Sequence, residues 1–120
     1  MKFLALIYGD RDAFEAKSAD EQAAIYEEYR AFADAARAQN ALVDGAELAP
    51  TSTATTVRVR DRETLVSDGP FAETKEALGG YFLLQCDSID EAVELAARIP
   101  GAERGAVEVR PCHVDEEAPE

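Results

Sequence analysis

Apolar residues fill every position from Phe3 to Tyr8, so the alternation of a half-exposed strand is missing and a strand covered on both faces is predicted. The period then changes. Ile25, Tyr29, Phe32, Ala33 and Ala36 recur at helical spacing, and Ser18-Ala19-Asp20-Glu21 opens the run in the S-x-x-E form of a capping box. One amphipathic helix over Ala19 to Gln39 follows, with Glu27, Glu28, Arg30, Asp34 and Arg37 facing water and Asn40 suited to its end.

Ala41 to Leu48 and Ala54 to Arg60 read as short strands, the second placing Val57 and Val59 on one face and Arg58 and Arg60 on the other. Asp61-Arg62 turns the chain into Glu63 to Ser67 without the glycine that a two-residue hairpin turn prefers. Tyr81 to Leu84 is again apolar on both faces, and Gly79-Gly80 before it suits a close entry into the sheet. A second capping box, Ser88-Ile89-Asp90-Glu91, opens a helix with Ile89, Ala92, Val93 and Ala96 in one stripe, stopped by Pro100-Gly101. In the last strand Val107 and Val109 alternate with Glu108 and Arg110.

This order predicts an α+β fold, a ferredoxin-like sandwich with two helices on one face of an antiparallel sheet. Two helices cover one face only. Because the Phe3 and Tyr81 strands are apolar on both, the second face is expected to meet another copy, sheet to sheet about a two-fold axis. A single domain over residues 1–112 is expected, with residues 113–120 as an acidic, frayed tail.

Composition narrows the function classes. Twelve basic against twenty-five acidic residues leave a formal charge of −13, which repels phosphate backbones and anionic lipid, so neither nucleic acid nor membrane is an expected partner. Cys86 and Cys112 form no disulfide framework and no export signal is evident, so a cytoplasmic location is expected. No phosphate loop, dinucleotide fingerprint or local serine-histidine-acid pattern is present, and no cofactor is expected. Cys112, His113 and Asp115 do not make a metal site, since neighbouring side chains on an extended segment point apart.

The candidate chemistry collects in Asp68-Gly69-Pro70-Phe71-Ala72-Glu73-Thr74-Lys75-Glu76. Gly69 and Pro70 give this segment a restricted shape. Asp68 beside Phe71 is a candidate general acid or base, provided that apolar surroundings raise its pKa, and Lys75 is a candidate for holding an anion. The structural alternative makes Asp68 an acceptor of backbone N–H groups in its turn or the cap of a short helix from Ala72. Phe71, Glu73 and Tyr81 are further candidates for ligand contact. Tyr8 and Tyr29 join them, because a phenol offers both a ring and a hydroxyl.

Asp68 to Glu76 followed by Leu78-Gly79-Gly80-Tyr81-Phe82 resembles the signature of the DGPF branch of the YCII-related family, and the likeness extends to Phe3 to Asp10, Ala46 to Pro50, Thr55 to Arg60, and Ala96 to Pro100 running into Val107 to Pro111. The resemblance implies small bacterial proteins with dimeric α+β barrel packing. It also implies, for the broader family, a histidine and aspartate pair as in a lactone dehalogenase, but the aligned positions here hold Tyr29 and Ile99. Members of the branch are linked with extracytoplasmic-function sigma factors, so a sigma factor or other protein partner is implied as an alternative. The leading expectation is a homodimer binding a small molecule near Asp68, with an enzyme acting through Asp68 and Lys75 as the runner-up.

Overall fold

In the computed structural model, which describes residues 1–113, one four-stranded antiparallel sheet carries the domain; the acidic segment expected at the end of the chain lies outside the described residues. The strands are β1 (Lys2–Gly9), β2 (Leu42–Glu47), β5 (Ala77–Gln85) and β6 (Ala106–Pro111), in the spatial order β2-β5-β1-β6. With α2 (Ala19–Ala38) after β1 and α3 (Ile89–Ala96) after β5, this is the ferredoxin-like α+β order. Between β2 and β5 the chain inserts a hairpin, β3 (Thr55–Arg60) and β4 (Glu63–Asp68), which pairs only with itself. Among the described residues, two short α-helices, α1 (Arg11–Glu15) and α4 (Gly101–Arg104), and one 3-10 turn, Thr51–Thr53, complete the fold. Among the described residues, no helix is long and apolar enough to cross a membrane.

Capping sets the ends of α2. Ser18 accepts from the Glu21 N–H while the Glu21 carboxylate accepts from the Ser18 N–H, so both halves of the capping box form. These bonds stabilise the Glu21 carboxylate and hold its pKa below the usual range. At the other end Asn40 takes φ 58°, and the N–H groups of Asn40 and Ala41 bond the Arg37 and Ala36 carbonyls, which closes the helix in a Schellman turn.

The core lies between the sheet and the two long helices. Phe3, Ala5 and Leu84 supply its sheet side, Phe32 and Ala36 come from α2, and Ala92, Leu95 and Ala96 come from α3. Val107 and Val109 pack against this cluster as their alternation predicts. The opposite face carries Leu4, Leu6, Tyr81 and Leu83, and these four stay half-buried.

Four details differ from the sequence pattern. The buried stripe of the second helix is Ala92, Leu95, Ala96 and Ile99, while Ile89 and Val93 are exposed; Ile99, beyond the helix end, anchors the i, i+3, i+4, i+7 set. Pro100-Gly101 does not end helical structure but opens α4, with Pro100 at its N-cap. The five-residue α1 has too few apolar positions to show a period, and it is capped by Asp10, which accepts from the Ala13 N–H. In the second capping box the Glu91 carboxylate accepts from Asp87 instead of the cap residue Ser88.

Candidate functional site

The residues singled out in the sequence fall in three places. The first is the base of the hairpin, where Asp68 ends β4 opposite Thr55. Gly69 follows at φ +100°, its N–H donates to the Ala54 carbonyl at 2.7 Å, and its own carbonyl accepts from the Thr56 hydroxyl at 2.8 Å. A side chain is disfavoured at such a φ, so a glycine makes this corner possible. The corner is therefore held by Gly69 and not by Asp68. Among the described residues, Asp68, Glu73 and Lys75 enter no hydrogen bond or ion pair, and no helix starts at Ala72.

Asp68 is exposed, so the apolar surroundings that a general acid or base at this position requires are not present. Phe71 does not shield it. That ring is 75% exposed and lies 5.2 Å from the Arg58 guanidinium on β3, a cation–π contact. The far end of the segment runs into the main sheet: the Thr74 hydroxyl donates to the Glu76 carbonyl, and Ala77, which opens β5, pairs with Gly9 of β1.

The second place is the uncovered sheet face. Tyr81 pairs with Leu6, and Tyr8, one step further along β1 past a bulge, pairs with Leu78. The two tyrosines thus sit on neighbouring strands of one face, with Leu4, Leu6 and Leu83 beside them. Tyr81 donates weakly to Asp44 on β2, at 3.3 Å. Gly80 brings β5 close to β2, since a Cβ there would stand 2.8 Å from the Ala46 carbonyl oxygen. This is the close entry that Gly79-Gly80 suggested.

The third place is the covered face at the end of β1, and it holds Tyr29 alone among the candidates. Its ring packs against Phe82, and a Cβ on Gly101 would come within 2.7 Å of its hydroxyl. Burial pushes the Tyr29 phenol up from its usual pKa, partly offset by the Gly101 N–H. Beside it stand residues that the pattern did not mark. Tyr26 donates to Glu47 at 2.9 Å, Arg11 lies 3.7 Å from the same carboxylate, and Phe14 meets Tyr26 edge-on at 5.6 Å. The bond to Glu47 is the main cause raising the Tyr26 phenol, with burial second. Both tyrosines stay protonated at neutral pH and can donate to a ligand but cannot serve as bases. Tyr26 and Tyr29 are three apart on one helix, a signal visible in the sequence; the meeting with Glu47 is tertiary.

Among the described residues no three His, Cys, Asp or Glu side chains converge, Cys86 is buried with its thiol pushed up chiefly by burial, and His113 is exposed. A cleft of about 850 Å³ runs between α2 and the α3–α4 region over Phe32, Leu95 and Ile99, and none of the candidate residues lines it.

Comparison with known proteins agrees with this architecture. The chain is similar to an uncharacterized protein of Rhizobium meliloti (strain 1021), 38% identical over 113 residues that cover 92% of this chain and 91% of the relative. Residues 1–114 match the YCII-related domain. A match over nearly its whole length, on a sheet and helix order of this kind, means that the chain belongs to the YCII-related family.

Proposed function

We propose that the protein is a homodimer that binds a small anionic molecule at the Asp68–Lys75 segment, next to the rim of the uncovered sheet face. The observation that carries this reading is a set of unspent charged groups. Asp68, Glu73 and Lys75 lie on a segment whose corner is held by Gly69, and among the described residues their side chains make no hydrogen bond or ion pair, while Phe71 keeps an exposed ring over Arg58. Lys75 offers an ammonium to an anion, Phe71 an exposed ring, and the carboxylates of Asp68 and Glu73 accept from a hydroxyl or amine of the same ligand. The pairing of Ala77 with Gly9, next to Tyr8, brings the end of the segment to the sheet rim.

Dimerisation is supported by the face that carries Leu4, Leu6, Tyr81 and Leu83 without a helix to cover it. Packing that face on its two-fold mate removes these side chains from water and is self-complementary. Binding without turnover suits the exposed Asp68 better than acid–base catalysis, which calls for apolar surroundings.

The test screens small carboxylic acids for thermal stabilisation of the wild type, Asp68→Asn and Lys75→Ala. Asp68→Asn alone is expected to leave the unliganded midpoint within about 2 °C, the shift of roughly 0.5 kcal/mol at this size. An acid that stabilises the wild type is expected to lose its effect in Lys75→Ala. A ligand that stabilises both equally would place the site elsewhere, and a fall of several degrees in unliganded Asp68→Asn would return that residue to a structural role.

A further inference from the structure

The hairpin shows an amphipathic pattern with nothing on its apolar side. Register places Thr55, Val57, Val59, Thr64, Val66 and Asp68 on one face, and Arg58, Arg60, Glu63, Leu65 and Ser67 with Thr56 on the other. Val57, Val59 and Val66 are 59%, 57% and 62% exposed. A lone two-stranded hairpin is marginal in water, and this one also places Asp61 and Arg62 at φ 51° and 67° in its turn, a region that favours glycine or asparagine. Two strands in that condition need a surface to lie on.

We infer that the β3–β4 hairpin is an arm that closes over a second copy of this chain, with its valine face against that partner. The inference rests on the homodimer proposed above and adds part of the interface area that the main sheet lacks. Strand spacing and rise give a four-stranded face about six residues long a footprint of roughly 400 Å², about half of the 800 Å² or so per partner of a stable interface. A two-stranded arm adds about half as much again, before its side chains are counted.

Charge does not oppose a copy of the same chain at this place. The whole chain carries −13, yet along β3, the turn and β4 the three arginines Arg58, Arg60 and Arg62 balance Asp61, Glu63 and Asp68, and the valine face itself holds only Asp68 among charged residues. The arm carries no net charge, so a second acidic copy meets little repulsion there. Its base is also closed. The Gly69 to Ala54 bond and the Thr56 to Gly69 bond tie the two strands to each other where they leave the domain, which lowers the cost of ordering the hairpin itself on docking.

Sedimentation over a dilution series, on the full chain, tests this with the wild type, Leu83→Glu and the double variant Val57→Glu with Val66→Glu. Hydrogen exchange of the β3 and β4 amides is followed in the wild type at both ends of the series. The wild type is expected to dimerise, the double variant to weaken the dimer by about ten-fold or more with an unchanged circular dichroism spectrum, and hairpin exchange to slow as the dimer forms. A double variant that dimerises within about two-fold of the wild type, together with hairpin exchange independent of concentration, overturns the arm and leaves the dimer standing. A wild type that stays monomeric at all concentrations overturns the dimer reading and the arm with it. Slowed exchange that appears only when another protein is added assigns the valine face to that protein and also overturns the inference.

Discussion

The sheet of the domain body and the β3–β4 hairpin are both antiparallel and both alternate, but they have opposite fates. In the body Phe3, Ala5 and Leu84 disappear under α2 and α3; in the hairpin the equivalent row of Val57, Val59 and Val66 stays in water. The difference is not one of local pattern. It comes from chain connectivity: the two long helices lie in the connections after β1 and β5 and fold back on the four-stranded sheet, whereas the hairpin sits within the single connection from β2 to β5, which brings only the 3-10 turn Thr51–Thr53. Burial covers the apolar rows of the body, and the same apolar alternation in the hairpin stays uncovered.

The contrast is open to direct attack, most strongly through truncation. Leu84→Ala is expected to lower the unfolding free energy by about 3 kcal/mol, from lost transfer energy and the cavity left behind, while Val66→Ala in a dilute sample stays within about 0.5 kcal/mol. Denaturant titration of both variants decides. Equal losses would mean that the hairpin is packed against the body and is no arm.

A smaller effect sharpens the boundary between the two regions. Gly69→Ala puts a side chain at φ +100° and is expected to cost about 1–2 kcal/mol, with faster amide exchange confined to β3 and β4. Exchange that quickens equally in β1 and β5 would show that the hairpin and body unfold as one unit.

The smallest effect concerns the stitch between α2 and β2, the strand from which the chain runs into the arm. Tyr26 keeps its proton to a higher pH in the folded chain than in the unfolded one, so the folded state holds more protons above the ordinary tyrosine pKa. That stabilisation is fully present below the unfolded value of about 10 and is lost as pH rises through the higher folded value. Burial of Tyr29 acts in the same direction. Tyr26→Phe is expected to flatten the alkaline fall in stability and to cost about 0.5 kcal/mol at neutral pH, read from urea midpoints between pH 8 and 11. A fall of unchanged steepness would show that the Glu47 bond does not form in solution.

Legibility differed along the chain for identifiable reasons. The long helix was readable to within a residue or so because Ser18, Glu21 and Asn40 mark its ends in cis, through bonds to near neighbours. The second helix was readable in place but not in rotation, since Ile89 and Val93 compete with Leu95 and Ile99 for the buried stripe and only contact with β1 and β6 selects between them. For the candidate site, the Asp68 segment stood out by composition. Its separation from Tyr29, and the grouping of Tyr29 with Tyr26, Glu47 and Arg11, depended on strand order.

By itself the sequence determined the six strands, the two long helices and their serine N-caps, the apolar character of both central strands and the family, because each of these rests on spacing within a few residues or on the run of residues itself. The tertiary structure decided which of the equally apolar rows would be covered. It set the hairpin outside the sheet, turned Leu4, Leu6 and Leu83 to the uncovered side, and left Asp68 in water with Gly69 holding the turn. Strand order and the side taken by each helix are long-range choices, made by burial of the whole surface at once, and local spacing carries no record of them.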